Sequence, residues 1–519
     1  MRAAVVVAGG SLSGLAVALV LGERGHRVTV LERSAPPPQG PPAKAATLWR
    51  RPLVPQGVQA HVLTSLGVKV LGERAPRVLE AALEQGARLL RIPDAAPPSL
   101  RRSPDAVRDE ELVALAMRRT ALELVLLRAV EALPTVRIRY GTAVRGLLLD
   151  AAGRRVTGVV ADGGEQLAAG TVVDASGRGA AHRSWLTGAG VPVAADLSAP
   201  NPLRVFSRFH RLRDPGAVPG PLNRGHAAGG IWDHYAAVVH PADNGLFTLS
   251  VGVLPRDSAT TVLRGGGAFT AAGRVSPFVA AWLDEAVAEP VAPVRAMTVP
   301  PNVLRGTVTA RQRPVGGLYP VGDAACVTDP MYGRGMSLGL AHAFRLAELI
   351  DARPGGGAAA GEEAVGVADT LLRPWYEQAV HDSGARAVLW HARADLPMAP
   401  APEVPFAPDV PAAPGVPPAP DVPAAPGVPP RPGASAPVPA GRPSHAAVAA
   451  ALATDGMVWR AVHRMLMGLD TPAEVFDDEP FRERVRTAPA PGPSPVPGTP
   501  VAPSRAELLR ALVAAGEED

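Results

Sequence analysis

A glycine-rich turn near the amino terminus limits the folds open to this chain. Residues 2–8 are mostly Ala and Val, which is typical of a strand buried inside a parallel sheet. The turn at residues 9–14 reads Gly-Gly-Ser-Leu-Ser-Gly. Apolar residues then recur at helical spacing over 15–22, and Gly25 supplies a helix stop before a second apolar run at 27–31. The order predicts one βαβ unit whose first strand and helix are joined by this turn.

The spacing within the turn is that of a dinucleotide-binding fingerprint, with Ser11 in place of the middle glycine. Gly9 permits the tight turn, the small Ser11 lets the backbone approach a pyrophosphate, and Gly14 lets helix and strand pack closely. The helix amino terminus presents free N–H groups to the phosphates. Glu32 ends the second strand, where a carboxylate accepts hydrogen bonds from the ribose hydroxyls. The sequence therefore predicts a bound dinucleotide.

A second constrained stretch lies at residues 318–337. It reads Leu-Tyr-Pro-Val-Gly-Asp-Ala-Ala-Cys-Val-Thr-Asp-Pro-Met-Tyr-Gly-Arg-Gly-Met-Ser. The pattern predicts a strand over 318–323, a turn, and a helix over 335–351. The amino terminus of that helix would direct a positive dipole at any group that carries negative charge in front of it.

Together the two stretches resemble the class A flavoprotein monooxygenases, the group built on the para-hydroxybenzoate hydroxylase fold. The resemblance implies that the dinucleotide is FAD, held non-covalently. It implies that Asp323, after Gly322, binds the ribityl chain. It also implies that the backbone at Pro330, Gly333 and Gly335 lies against the flavin ring.

Three shorter motifs are similar to further parts of that family. Residues 172–178 (Val-Val-Asp-Ala-Ser-Gly-Arg) look like the region whose acid, here Asp174, positions the cofactors. Residues 117–123 look like a helix whose arginine, best matched by Arg119, contacts FAD. Residues 51–57, with His61 after them, are similar to a segment of actinomycete flavin epoxidases that act on polyene precursors, in which Arg51 would touch FAD.

Two sets of site residues follow. The residues predicted to bind FAD are Gly9, Ser11, Ser13, Gly14, Glu32, Arg33, Arg51, Arg119, Val144, Asp174, Gly322, Asp323, Pro330, Gly333, Gly335 and Met336. The candidates for catalytic or substrate contacts are His61, Phe206, Arg208, His210, Trp232, Tyr235, Met331 and Tyr332, although residues of these types are individually more often part of a core or surface than ligand contacts.

The implied reaction needs little acid–base chemistry from the protein, because the cofactor carries the difficult steps. NAD(P)H reduces FAD and leaves, O2 forms a C4a-hydroperoxide, and one oxygen passes to an electron-rich carbon of a polyketide-like or other secondary metabolite. No second glycine fingerprint follows a strand, which argues against a separate NAD(P)H-binding domain.

Several alternatives stay open at this point. The oxygen transfer is either epoxidation or hydroxylation, and hydroxylation of a phenol profits from a nearby base. An alkene reductase of the geranylgeranyl reductase type would use the same cofactor without oxygen. A flavin-binding scaffold without catalytic activity is a third hypothesis. Flavin halogenases rank low, because the chain has no Trp-x-Trp-x-Ile-Pro string.

Composition excludes other classes of function. The 519 residues carry a formal charge of only +4, so a nucleic-acid partner is not expected. The single cysteine, Cys326, permits no intrachain disulfide and is expected to be a buried small residue. No apolar run reaches the roughly 18 residues of a membrane span, and the apolar start is interrupted by Gly9 and Gly10. We expect a cytoplasmic enzyme without a metal ion; the oligomeric state is left open.

The predicted fold is α/β, with a Rossmann-like FAD-binding domain, an inserted sheet-containing substrate domain and carboxy-terminal helices. The expected segments are a discontinuous FAD domain (1–75, 105–190, 300–350), a substrate domain (76–104, 191–299), a helical part (351–397), a proline-rich linker (398–442) and a helical end (443–519). The linker contains a twelve-residue stretch, 407–418, that recurs identically at 419–430. Proline at this density favours an extended spacer.

Overall fold

The computed structural model describes residues 3–59, 61–97, 100, 104–396, 442–489 and 502–516. The predicted linker, except for its last residue, and most of a second proline-rich run at 488–503 lie outside the described residues. The strands are β1 Ala4–Ala8, β2 Arg27–Glu32, β3 Arg88–Arg91, β4 Val113–Ala116, β5 Val136–Tyr140, β6 Val144–Leu149, β7 Val156–Ala161, β8 Gln166–Ala168, β9 Thr171–Asp174, β10 Leu197–Ala199, β11 Arg204–Leu212, β12 Ala228–Ile231, β13 Ala236–Pro241, β14 Leu246–Val253, β15 Ala288–Pro290, β16 Arg295–Thr298, β17 Asn302–Leu304, β18 Leu318–Pro320 and β19 Cys326–Val327. The helices are α1 Leu12–Glu23, α2 Pro42–Leu48, α3 Ser65–Arg74, α4 Pro76–Glu84, α5 Arg119–Glu131, α6 His182–Gly188, α7 Gly266–Arg274, α8 Pro277–Ala280, α9 Gly335–Ala352, α10 Ala358–Leu371, α11 Arg373–Ala394, α12 His445–Leu452, α13 Gly456–Leu466, α14 Pro472–Phe476, α15 Glu479–Thr487 and α16 Arg505–Gly516.

A parallel sheet in the order β18-β9-β1-β2-β5 forms the centre of the fold. In β1, the central strand, Val7 pairs in register with Val30 on one side and Val173 on the other. Its valines are buried on both faces: Val5 and Val7 pack with α1 and α9, and Val6 packs with residues of β6, β7 and α6. The carboxyl ends of β1, β9 and β18 therefore meet at one edge, which is where ligands bind in open sheets of this kind.

A six-stranded sheet forms the second part of the fold, in the order β12-β13-β14-β11-β15 with β16 also pairing to β11. Its strands are antiparallel, so alternate side chains point to opposite faces. One face packs on α7 and α16 around Phe247, Phe269 and Leu508. The other face is free to line a cavity. The predicted α/β architecture, with a Rossmann-like core, further sheets and helices at the carboxy-terminal end, is confirmed.

Local differences from the sequence expectations have clear causes. The strand predicted at 318–323 ends at Pro320, and the chain turns at Gly322 with a φ of +62°. Within the helical end expected at 443–519, α12 to α15 are separate helices, because polar caps interrupt the stretch; Asp455, Thr471 and Asp478 each accept from backbone N–H groups. Ser504 and Glu507 form a capping box before α16, with the Ser504 N–H donating to Glu507 over 2.7 Å.

Among the described helices, none is both long enough and apolar enough to cross a bilayer.

Candidate functional site

One large cavity, of about 1400 Å³, runs from the glycine-rich turn to the free face of the antiparallel sheet. Pockets for small ligands usually measure roughly 300–1000 Å³. The cavity is therefore large enough for a dinucleotide and a second molecule together. Its walls come from the carboxyl ends of the parallel strands, the start of α9, the sheet face and the end of α13.

The turn before α1 presents free backbone N–H groups to this cavity. Gly9 has a φ of +115°, and a Cβ on Gly14 would lie 2.0 Å from the Gly9 carbonyl oxygen, so the turn tolerates no side chain there. Among the described residues, no hydrogen bond engages the N–H groups of Leu12, Ser13 and Gly14. A helix amino terminus with unpaired N–H groups is a site for phosphate. The turn thus fits the pyrophosphate that the sequence predicts.

Ser11 caps nothing in this helix, because its side chain is used elsewhere. Its hydroxyl donates to the carboxylate of Glu123 over 2.5 Å, and Glu123 also pairs with Arg119 at 3.0 Å and with Arg51. Burial alone would raise the pKa of Glu123, but the charges of Arg119 and Arg51 outweigh it and lower that pKa to about 2. The carboxylate is therefore ionised and holds both arginines at the cavity wall.

Glu32 lies at the end of β2, where the sequence predicts a ribose contact. Its two carboxylate oxygens accept from the N–H groups of Gly10 and Ser34, each at 2.8 Å, so its position is fixed. Glu32, Arg33 and Val144 all line the same end of the cavity. A carboxylate oxygen accepts more than one hydrogen bond, so Glu32 is still able to receive a ribose hydroxyl.

Asp323 supplies the clearest test of fit to FAD. Its carboxylate lines the cavity, and no hydrogen bond to it from the described residues is found. Burial raises its pKa, while the charges of Arg119, Arg178 and Arg305 oppose that shift. Asp323 is only partly exposed, and an acceptor enclosed in a cavity without a partner is costly, so a ligand with hydroxyl groups is expected beside it. The ribityl chain of FAD has such hydroxyls.

Asp174 is placed differently from the other predicted FAD residues. It lies behind the cavity wall with no exposed surface, and its carboxylate accepts from the N–H groups of Ser176 and His182. The ring of His182 bonds to the same carboxylate at 2.5 Å and reaches Thr307 at 2.7 Å on its other side. Asp174 therefore shapes the loop at 175–181, which does line the cavity.

The turn before α9 is held from the opposite side by a buried ion pair. Asp329 accepts from the Met331 N–H at 3.0 Å and pairs with Arg386 of α11 at 2.5 Å. Gly333 follows with a φ of +67°, and no atom lies within 4 Å of where a Cβ on Gly335 would be. Among the described residues, no acceptor forms a hydrogen bond with the backbone N–H of Gly335 or of Met336. The amino-terminal, positive end of the α9 dipole thus faces open space in the cavity.

Arg386→Met should loosen this turn. The substitution leaves the buried Asp329 carboxylate without its cation, which in buried pairs costs about 3–5 kcal/mol. We expect a fall of that order in the free energy of unfolding in urea and a weaker affinity for FAD. Arg373→Met is the matched control, because Arg373 lies on the same helix and pairs with Asp369 at the surface. Equal effects of the two substitutions would contradict this role of Arg386.

Some of the candidate catalytic residues reach the cavity and others do not. His61, Met331 and Tyr332 line the cavity. The others do not: Phe206 is in the core on the far face, Arg208 donates to the Ala292 carbonyl, His210 stacks on Phe247, and the rings of Trp232 and Tyr235 contact each other at a tilted angle. In β11 the cavity side is taken by Val205 and Ser207, one position out of step with the candidates.

His61 is a neutral group at the cavity wall. Burial, together with the charge of Arg119, lowers its pKa to about 3. One ring nitrogen, Nδ1, lies 3.0 Å from the Gln59 carbonyl. Gln59 in turn accepts from Ser207 at 2.6 Å, which ties this loop to the sheet. His61 can therefore offer only its other nitrogen to a ligand.

Several cavity residues were not predicted from the sequence. Arg178 and Arg305 lie near Asp323, and Ser207, Arg224, His226, His240 and Ser250 line the part beside the antiparallel sheet. Arg178 belongs to the motif at residues 172–178, whereas no local sequence pattern marks the polar residues of the sheet. The sulfur of Cys326 is buried, and burial raises the pKa of this thiol to about 12, so it is not a nucleophile.

Comparison with known proteins agrees with this geometry. A family profile described as pyridine nucleotide-disulphide oxidoreductase matches residues 4–82. Kynurenine 3-monooxygenase of Salinispora arenicola (strain CNS-205) is 25% identical over 363 residues, which cover 68% of this chain and 73% of that protein. In sequence it is a distant relative.

Two solved structures share the fold. PqsL, a probable FAD-dependent monooxygenase from Pseudomonas aeruginosa, superposes with a TM-score of 0.53 and 19% identity over 75% of this chain and 100% of that chain. The p-nitrophenol 4-monooxygenase PnpA from Pseudomonas putida DLL-E4 gives 0.50 and 20%, over 76% and 94%. At such identities the likeness is one of fold alone.

The fold and the cavity are those of a protein in which a dinucleotide would lie at the carboxyl edge of the parallel sheet. In sequence and in fold the chain is similar to class A flavoprotein monooxygenases, the group that its motifs resemble. These relatives indicate an FAD-dependent oxidoreductase, a class in which NAD(P)H is the typical electron donor. The contacts of individual residues with FAD stay predictions.

Proposed function

We propose that this chain inserts one oxygen atom from O2 into an electron-rich carbon of a polyketide-like or other secondary metabolite. Bound FAD would supply the redox chemistry: it accepts electrons from NAD(P)H and activates oxygen. The observation that supports oxygen transfer is the sheltered space between the turn at 330–335 and the sheet. A Cβ on Gly252 of β14 would lie 3.3 Å from the terminal carbon of Met331, so turn and sheet nearly touch.

The residues around this space exclude water and leave little room for acid–base chemistry. The apolar part of the sheet side is formed by Val205, Ala236, Val238 and Met297. A water-poor site protects reactive species from hydrolysis. The positive end of α9 would stabilise negative charge that develops in front of Gly335. The protein thus orients the reactants, shelters them and stabilises charge.

Epoxidation of an alkene is the form of the reaction that the cavity favours. Burial lowers the pKa of His240 to about 4 and that of His61 to about 3. Such weak bases withdraw a phenolic proton poorly, whereas attack on an alkene requires no base. The same segment that resembles actinomycete epoxidases, at residues 51–57 with His61, lines this cavity in part.

We also propose that separate segments of the chain bind the cofactor and the substrate. The segments 1–75, 105–190 and 300–350 would hold FAD, and 76–104 with 191–299 would hold the substrate. All of the predicted FAD residues fall in the first group. The antiparallel sheet, which provides the apolar wall, falls in the second.

The purified chain should be yellow, should release flavin on denaturation, and should oxidise NAD(P)H faster when a substrate polyene is present. The measurement is NAD(P)H consumption in air, coupled to mass spectrometry for a product heavier by one oxygen atom, against a phenol of similar size. Product formation without oxygen would instead indicate an alkene reductase. Tightly bound FAD with no NAD(P)H oxidation under any condition would indicate a binding scaffold, and absence of FAD would overturn the proposal.

A further inference from the structure

Arg224 lies just before β12 and lines the cavity beside the antiparallel sheet. Among the described residues, its guanidinium has neither an ion pair nor a hydrogen bond. Other arginines with little exposure are paired: Arg118 with Asp243 at 2.6 Å and Arg460 with Asp109 at 2.8 Å. Arg224 is only partly exposed, and a cation enclosed in a cavity is costly unless it is paired. Arg224 is therefore a cation that lacks a counter-ion.

The side chains around Arg224 do not compensate for its charge. His226, His240 and His463 are its ionisable neighbours, and the pKa of each is lowered, first by burial and also by the Arg224 charge. They are neutral at physiological pH. The phenol of Tyr332, the other group that interacts with Arg224, is neutral as well, because burial raises its pKa. One uncompensated positive charge is thus left in this part of the cavity.

The backbone fixes the place of this charge. The Arg224 N–H donates to the Ala227 carbonyl at 3.0 Å, and the Arg224 carbonyl bonds to the ring of His226 at 3.0 Å. Gly225 has a φ of +77°, and a Cβ there would lie 2.6 Å from the Cα of Ile92. The loop is therefore packed tightly against the segment that follows β3, and the backbone from which the Arg224 side chain extends is fixed.

We infer that Arg224 binds a carboxylate of the substrate, so that the substrate is an acid with an apolar, electron-rich body. A guanidinium matches a carboxylate by two parallel hydrogen bonds, and the pairing is stronger where water is excluded. The carboxylate lies at Arg224, and the apolar body extends along Ala236 and Val238 towards the turn at Met331. The inference rests on the proposed function, whose cofactor end lies elsewhere in the cavity.

The test measures binding to the FAD-loaded protein by the change in flavin absorbance, without turnover. The probes are two pairs of acid and primary amide: naphthalene-2-carboxylate with its amide, and 2,4-hexadienoate with its amide. Each acid should bind at least tenfold more tightly than its amide, which corresponds to about 1.4 kcal/mol. Arg224→Gln should remove this preference, and Arg224→Lys should retain part of it because it keeps the charge.

Arg208→Gln is the matched control. Arg208 belongs to the antiparallel sheet beside the Arg224 loop, but it donates to the Ala292 carbonyl outside the cavity. It should keep the preference for the acids. If neither acid binds more tightly than its amide in the unchanged protein, the inference is wrong even if FAD binding and oxygenation are found. If Arg224→Gln instead binds NADPH more weakly and keeps the preference for the acids, Arg224 interacts with the electron donor and the inference is also wrong.

Discussion

Gly14→Ala should abolish tight FAD binding. The added Cβ would lie 2.0 Å from the Gly9 carbonyl oxygen and 3.0 Å from the Ala175 Cβ, so the turn and the start of α1 must separate. The free N–H groups of the helix would then no longer converge on one point. We expect the Kd for FAD to rise at least about 100-fold, equivalent to about 2.7 kcal/mol. Fluorescence titration of the flavin-free protein measures it.

Gly384→Ala makes the same chemical change where there is room for it. Gly384 lies within α11, and no atom is found within 4 Å of the position of its Cβ. Alanine in a helix is more favourable than glycine by roughly 0.5–1 kcal/mol, so stability should be kept or increased. FAD affinity should not change. Tight FAD binding by the Gly14 variant would show that close packing at this turn is not required.

Glu123→Gln should destabilise the protein and weaken FAD binding together. Glu123 has no exposed surface and is the shared partner of Arg51, Arg119 and the Ser11 hydroxyl. The amide is neutral, so two nearby arginines at the cavity wall lose their common counter-ion. Removing one partner of a buried ion pair costs about 3–5 kcal/mol. Urea unfolding followed by circular dichroism, together with the Kd for FAD, measures both effects.

Glu363→Gln provides the comparison at the surface. Glu363 pairs with Arg353 at 2.6 Å, but both side chains are about half exposed. Exposed pairs contribute about 0–1 kcal/mol, so little change in unfolding is expected and none in FAD affinity. If Glu123→Gln unfolds at the same urea concentration as the unchanged protein, the cluster is not the support for the turn that its geometry indicates.

The cofactor end was predictable because its demands are local. Gly9 is required by its positive φ and Gly14 by its close approach to the Gly9 carbonyl, and such local demands leave a pattern in sequence. Glu123 shows the limit of that reasoning. It was visible as a helix residue four positions after Arg119, but nothing in the sequence brings Arg51 and Ser11 to the same carboxylate.

The substrate end was harder to predict because a strand exposes two faces. Arg208 and His210 were reasonable candidates by residue type, yet the face that meets the cavity carries Val205 and Ser207. A shift by one residue exchanges the faces, and the sequence of β11 does not say which one is covered. Arg224 was missed for another reason: its significance lies in the absence of a nearby acid, which only the assembled fold reveals.

The end of α13 gives the cavity part of its wall. Leu466 and Met467 line it, the Leu66 N–H bonds to the Met467 carbonyl at 3.1 Å, and Arg464 pairs with Glu111 at 2.8 Å. This wall is encoded after the repeated proline-rich stretch, far from the glycine-rich turn. This part of the wall and the cofactor site can therefore change separately: recombination within the proline-rich stretch would replace Leu466 and Met467 and leave the glycine-rich turn and the antiparallel sheet in place.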